Sequence, residues 1–228
     1  LSEAYAMSGD RRLLPAVQRA LQYTINTQDR ASGGRRYQVG QVGDTSQLGW
    51  QVMALKSAEL GGIAMPSVTR AGIERFLASV ASGTSRGLAC YQPTRPIPTR
   101  SMTAEALVCR QFLGRTDRPE TIVEATSFVL QEPPGSGTPN HYYWYYGTLA
   151  MYQSGGEPWQ RWNEALQKQL LSTQRLDGSY AGSWDPDKVW GSCGGRVYST
   201  SLCALCLEVY YRFLPLYVRA ADRDQPRR

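Results

Sequence analysis

The sequence predicts an all-α protein built from helical hairpins, each an amphipathic outer helix followed by an apolar inner helix. Between Trp159 and Leu170, apolar residues recur at three- and four-residue intervals with polar residues between them, which predicts an outer helix with one buried face. Segment 198–214 is apolar almost all the way round, so it predicts an inner helix covered on several sides. Because one hairpin cannot bury its own apolar surface, the pattern predicts a ring of such units.

Weaker copies of this plan occur upstream. Residues 1–10 have the pattern of the last turns of a helix followed by a stop, so we expect the chain to be a fragment of a longer protein. Asp10 is the predicted N-cap of a first outer helix that runs to about Gln28. Asp44, three residues before Gln47, forms a capping-box pattern at the start of the first inner helix.

The second and third units follow the same order. Pro66 begins the second outer helix, and a proline-broken loop over 90–100 leads to the inner helix 101–114. Pro119 suits the first turn of the third outer helix. Its inner helix begins at Asn140. Together with the first and last units, these segments predict four hairpins and a residual N-terminal helix.

Composition predicts one folded domain over residues 1–217 and a charged, solvated tail over 218–228. The net charge of +6 comes from arginines scattered through loops, so nucleic-acid binding is not implied. No run approaches the ~18 apolar residues of a membrane-spanning helix, so no integral membrane segment is expected. Five cysteines without framework spacing predict buried, reduced thiols and favour a cytoplasmic location.

Three segments carry a resemblance to a known family. The loop Gln174-x-x-x-Gly178-x-Tyr180 resembles the glutamine-tryptophan repeat of squalene cyclases, with tyrosine in place of tryptophan. Together with segments 43–62 and 194–217, it makes the chain similar to bacterial prenyltransferase and squalene-oxidase-repeat proteins. The resemblance implies the α/α toroid shared by terpenoid cyclases and protein prenyltransferases, of which four hairpins would be a fragment of a six- or seven-hairpin ring.

The chemistry of these relatives depends on residues that this sequence lacks. Squalene-hopene cyclases protonate their substrate with a DxDD motif, and no such run occurs here. Protein prenyltransferases hold zinc with a histidine in a Tyr-His-Thr run, where this chain has Tyr198-Ser199-Thr200. Cys203 and Cys206 have a metal-compatible spacing, but inside an apolar helix they are expected to be core residues. The sequence therefore predicts no metal, no cofactor, no squalene cyclisation and no zinc-dependent prenyl transfer.

If the toroid resemblance holds, the N-termini of the inner helices meet at one mouth of a central cavity. The candidate catalytic groups there are Glu105, Asp44 and His141, each with a structural alternative. Asp44 suits a helix cap, Glu105 an ion pair with Arg100 or Arg196, and His141 a structural hydrogen bond. The carboxylates of Asp185-Pro-Asp187 are interpreted as part of a loop turn. The candidate ligand-binding residues are Gln47, Trp50, Tyr142, Tyr145, Arg196, Tyr198 and Ser199.

Three functions are compatible with these residues. The resemblance favours binding of an apolar, isoprenoid-like ligand in the central cavity. The alternative is a non-catalytic protein-interaction scaffold whose cavity is filled by its own aromatic side chains. A weaker alternative is a polysaccharide-acting enzyme using Arg35 and Arg36. Small residues on the inner helices favour an open pocket, and the aromatic run 142–146 favours a filled one. The small residues are Gly49, Ala54, Ala104 and Gly147.

Overall fold

A computed structural model of the protein describes residues 1–114 and 117–212, which are mostly helical. The chain divides into two compact units, one spanning Leu1–Thr121 and the other beginning at Ile122. The all-α class is therefore confirmed in outline. A single domain over 1–217 stays a prediction, and residues 213–217 together with the tail 218–228 lie outside the described residues.

Helices occur at the positions predicted for the N-terminal helix and for the outer and inner helices, and their pairing into four hairpins stays a prediction. The α-helices are α1 (Ser2–Ser8), α2 (Leu14–Asn26), α3 (Thr45–Leu60), α4 (Ser67–Val80), α5 (Arg100–Phe112), α6 (Pro119–Val129), α7 (His141–Ser154), α8 (Gly156–Thr173), α9 (Gly191–Leu207) and α10 (Val209–Arg212). Short 3-10 turns occupy Arg11–Leu13 and Gly178–Tyr180. Among residues 1–114 and 117–212, no helix is both long and apolar enough to cross a bilayer.

The helix starts in the first unit follow local capping chemistry. Asp10 caps the 3-10 turn that leads into α2, by accepting a hydrogen bond from the Arg12 backbone N–H. Asp44 caps α3, with Oδ1 2.8 Å from the Gln47 backbone N. The predicted capping box is only half formed, because the Asp44 backbone N–H donates to the Arg35 carbonyl oxygen at 3.1 Å. Each cap satisfies an N–H that a helix cannot satisfy internally.

The predicted loop over 90–100 is wrong in part, because it contributes to a small antiparallel sheet. Strands β1 (Ala81–Ser82), β2 (Leu88–Gln92) and β3 (Arg95–Pro98) pair in the order β1-β2-β3. The register between β2 and β3 is irregular between Cys90 and Gln92. The two prolines of β3 are tolerated because an edge strand needs only one row of backbone hydrogen bonds.

In the second unit α7 packs against α8 and α9. The buried face of α8 comprises Trp162, Leu166 and Leu170, as its periodicity predicts. The break in α9 at Gly195, whose φ is 65° and ψ −163°, precedes the inner helix predicted over 198–214, and α9 ends at Leu207, before α10. The predicted segment is less covered than expected, since Tyr211 is 87% exposed and Leu205 is half-buried.

Burial predicts how three substitutions on α8 and α9 differ in their effect on stability. Leu166 is 1% exposed, so Leu166→Ala should lower the free energy of unfolding by about 2 to 5 kcal/mol through the cavity it leaves. Because Leu205 is half-buried, Leu205→Ala should lower the free energy of unfolding by clearly less. Lys168→Ala, on the exposed face of α8, should change stability by no more than about 0.5 kcal/mol. Urea denaturation checks this order, and equal losses at Leu166 and Lys168 would contradict it.

Candidate functional site

The best-formed polar site of the second unit is centred on Asp187, whose side chain is fully buried. Its Oδ1 accepts hydrogen bonds from the backbone N–H groups of Val189, Trp190 and Gly191, at 2.9, 2.6 and 3.0 Å. Its Oδ2 accepts one from the backbone N–H of His141, at 2.9 Å. One carboxylate therefore accepts backbone N–H groups at the N-terminus of α7 and in the single turn of α9 that precedes its break at Gly195, and the positive end of the α7 dipole favours its charge.

His141 is the titratable side chain that faces this carboxylate. Its Nδ1 lies 3.3 Å from Asp187 Oδ2, and its ring packs edge-to-face on Trp144 with centroids 5.1 Å apart. Burial lowers the pKa of His141, although the charge of Asp187 opposes this shift. Burial by itself would raise the pKa of Asp187, but the backbone donors and His141 outweigh it, so that pKa lies below its usual value. At neutral pH the pair is an uncharged imidazole beside a carboxylate.

His141 and Asp187 line a cleft of about 240 Å³. Its wall combines two indole rings with polar and charged groups from the end of α8 and from the loop that follows. The remaining lining residues are Pro139, Trp144, Gln169, Thr173, Trp184, Asp185, Pro186 and Lys188. Such a cleft suits a small group with one apolar face and polar edges.

Three predicted ligand residues lie around the same loop. The Ser199 hydroxyl oxygen accepts a hydrogen bond from the Asp187 backbone N–H at 3.3 Å. Arg196 donates to Asp185 and stacks 4.0 Å above the ring of Tyr180. Within the described part of the chain, the Tyr198 hydroxyl is buried without a hydrogen-bond partner, and burial followed by the charge of Asp187 raises its pKa. The second unit thus brings His141 and Ser199 together through Asp187.

Asp187 itself is absent from the predicted functional residues, because the Asp185-Pro-Asp187 run reads as a loop turn. Asp185 is exposed and Asp187 is buried, so the two carboxylates have different roles. A local signal exists, since an aspartate side chain often accepts a hydrogen bond from the backbone N–H two residues on, as Asp187 does from Val189. Its second partner, His141, is 46 residues away and leaves no local signal.

In the first unit Asp44 is committed to several contacts at once. In addition to capping α3, it accepts a hydrogen bond from the Ser46 hydroxyl at 2.7 Å and one from the Tyr91 hydroxyl at 3.1 Å. Arg36 Nε lies 3.4 Å from its Oδ2. Of the predicted ligand residues on α3, Gln47 is half-buried and Trp50 is 40% exposed. The geometry favours the structural interpretation of Asp44 as a cap.

Glu105, the other predicted acid, lies on α5 where α3 approaches it. The residue is fully buried, and a Cβ atom added at Gly49 would lie 2.0 Å from Glu105 Oε1. The Glu105 side chain therefore occupies the space that Gly49 leaves free. The predicted pairing of Glu105 with Arg100 or Arg196 stays a prediction.

The aromatic run on α7 is packed. Residues 143–146 are each at most 4% exposed, and the rings of Tyr142 and Tyr145 lie 5.0 and 5.3 Å from that of Tyr146. A Cβ atom added at Gly147 would lie 2.3 Å from the Trp162 ring. The small residue at position 147 therefore admits the indole of α8, and its open side is filled.

The cysteines differ from one another in burial. Cys90, Cys109, Cys203 and Cys206 are buried, as predicted, whereas the prediction is wrong for Cys193, which is exposed at the interrupted start of α9. Among residues 1–114 and 117–212, no three His, Cys, Asp or Glu side chains are arranged to hold a metal ion.

Comparison of the chain with protein-family models, with curated proteins and with solved structures finds no match.

The shared cap predicts a large stability loss for Asp187→Asn. The amide has one acceptor oxygen and no charge, so one of the two helix N-termini loses its partner in a buried site. We expect the free energy of unfolding to fall by about 2 kcal/mol or more. Asp177→Asn, at a side chain that is 88% exposed, is the matched control and should be neutral within about 0.5 kcal/mol. Equal effects of the two substitutions in urea denaturation would contradict the capping role.

The lowered pKa of His141 predicts a pH dependence. Below pH 6.5 the unfolded chain protonates its histidine before the folded chain does, so the unfolded state binds more protons and stability falls with falling pH. Because His141 is the one histidine in the sequence, His141→Gln should flatten this dependence between about pH 7.5 and 5.5. Urea midpoints of both proteins across this range provide the measurement, and identical slopes would rule out His141 as the cause.

Proposed function

We propose that the chain is a four-hairpin part of an α/α toroid that acts as a non-catalytic protein-binding module. The pairs α2–α3, α4–α5, α6–α7 and α8–α9 follow α1 in the order that the family resemblance implies. The proposal gives the inner helices a packing role and places binding on exposed segments.

The observation that carries the proposal is the packing around the small residues of the inner helices. The sequence favours an open ligand cavity beside Gly49 and Gly147, but their free sides face Glu105 and Trp162. Ala104 is fully buried as well. Gly49 and Gly147 are small because neighbouring side chains approach closely, so these two positions provide no support for an apolar pocket.

The state of the acid-base candidates also favours binding over catalysis. Asp44 and Asp187 each accept several hydrogen bonds that hold helix starts in place. The pKa of Asp187 lies below its usual value, because its backbone donors and His141 outweigh the effect of burial, so Asp187 is a weak proton donor. His141 borders a cleft, but the residue is only 6% exposed in all.

The proposed binding surface is the segment 189–197 of the second unit, which precedes and follows the break in α9. It presents Val189, Trp190 and Val197 at 37%, 49% and 79% exposure. Tryptophan is the residue type most often found as an energetic anchor in protein interfaces. Since the chain has a net charge of +6, we propose as partner an apolar protein segment flanked by acidic residues.

Peptide selection tests this proposal, because it finds binding sequences without a named partner. A randomised peptide library is selected on the immobilised protein, and the affinity of an enriched peptide is measured by titration calorimetry. Trp190→Ala should weaken binding about tenfold or more, as expected for an anchor. Leu171→Ala, which removes an apolar side chain 62% exposed on α8, is the matched control and should leave affinity unchanged.

Three results would contradict the proposed binding of a protein segment at 189–197. Saturable binding of farnesol that Trp190→Ala does not affect would favour an isoprenoid-type ligand and contradict the scaffold. Cleavage of a polysaccharide by the purified protein would favour the enzyme. Enrichment of peptides whose binding is equally weakened by Leu171→Ala would show that segment 189–197 is not the binding surface.

A further inference from the structure

The first unit contains a second cavity, of about 300 Å³, whose charge sets it apart from the cleft at His141. It lies where the end of α4 and the turn between β1 and β2 meet the residues that lead into α6. Three arginines and one carboxylate face it. The lining residues are Leu77, Ala78, Ala81, Ser85, Arg86, Arg110, Asp117, Arg118 and Thr121.

Arg110 and Asp117 form the buried base of this cavity. Arg110 is 4% exposed, its Nε lies 2.9 Å from Asp117 Oδ2, and its Nη2 donates to the Gly87 carbonyl oxygen at 3.1 Å. The two opposite charges compensate one another. The net positive charge of the cavity therefore comes from its other two arginines.

Arg86 and Arg118 carry the excess charge at the rim. Arg86 is exposed and donates to the Ala78 carbonyl oxygen at 2.6 Å. The side chain of Arg118 is 68% exposed and lies 3.3 Å from Glu120, which is itself 52% exposed. Since solvent screens an exposed pair strongly, Glu120 compensates little of this charge. The lining residues have an excess of two positive charges.

The backbone at Arg86 is strained in a way that supports a role for its side chain. Among the described residues it is the one non-glycine with positive φ, at 60°, in a turn that also contains Gly83 and Gly87. A non-glycine residue in this conformation costs about 1 kcal/mol or more, which a glycine would avoid. The chain has arginine at this strained position, and the arginine side chain places a guanidinium at the cavity rim.

We propose that this cavity binds a small phosphorylated molecule, with the phosphate between the guanidinium groups of Arg86 and Arg118. An excess of two positive charges matches a phosphate monoester, which is close to a dianion at neutral pH. Guanidinium groups recognise phosphate oxygens by paired hydrogen bonds. The adjacent start of α6 adds the positive end of a helix dipole. The volume is at the lower end of small-molecule sites, which suits a ligand of sugar-phosphate size.

Amide NMR with three probes tests the proposal on the full chain. Glucose 6-phosphate, inorganic phosphate and glucose are titrated separately at about pH 7.5 and constant ionic strength, where a phosphate monoester is mostly dianionic. Saturable shifts of the Gly87 and Thr121 amides are expected with glucose 6-phosphate and none with glucose. Tighter binding of glucose 6-phosphate than of inorganic phosphate supports an esterified ligand, and equal binding assigns the same site to free phosphate.

Variants distinguish this site from general attraction to a basic protein. Arg118→Ala should weaken binding about tenfold or more, as expected for losing a charge-assisted contact. Arg86→Gly removes the second guanidinium and relieves the backbone strain, so it should fold and also bind weakly. Arg95→Ala also removes one positive charge, at an exposed position of β3 outside the cavity, and this variant should bind normally. No saturable shift, or equal weakening by Arg95→Ala, would overturn the proposal.

Discussion

The contact between Trp162 and Gly147 determines how α8 lies on α7, and much of the second unit depends on it. The indole fits because position 147 has no side chain, and its Nε1 donates to the Thr148 hydroxyl oxygen at 3.0 Å. Tyr143 packs edge-to-face on the same indole, with centroids 5.6 Å apart. A large aromatic side chain is thus buried with its polar atom satisfied, and the inner helix is left with little free surface.

This packing connects directly to function. A helix with most of its residues buried, such as α7, cannot offer a broad wall to a ligand within its own unit. Asp44 and Asp187 accept hydrogen bonds from backbone N–H groups at helix starts, most clearly Asp187, which serves two N-termini at once. The interrupted start of α9 exposes Val189, Trp190 and Val197 close together in the sequence, which is why we propose recognition there.

Periodicity and local capping chemistry predict most of the helical architecture. The Asp44 cap lies where the sequence places it, and α7 begins one residue after the predicted start at Asn140, because a helix start depends on residues within one turn. The sheet at 81–98 escapes prediction because its prolines indicate a loop, although an edge strand tolerates proline and β3 pairs with the neighbouring β2. The glycines suggest open space because the contact that fills it is not local, since Trp162 is 15 residues from Gly147 in the sequence. A non-local contact therefore accounts for the error at Gly147.

Gly49 and Gly147 on the inner helices face filled space, and xenon binding tests this directly. Xenon enters dry apolar cavities large enough for a small ligand and is readily located by diffraction. In a crystal of the protein pressurised with xenon, we predict no bound xenon within contact distance of Gly49 or Gly147. A well-occupied xenon atom beside either glycine would reveal an open apolar cavity and contradict the account.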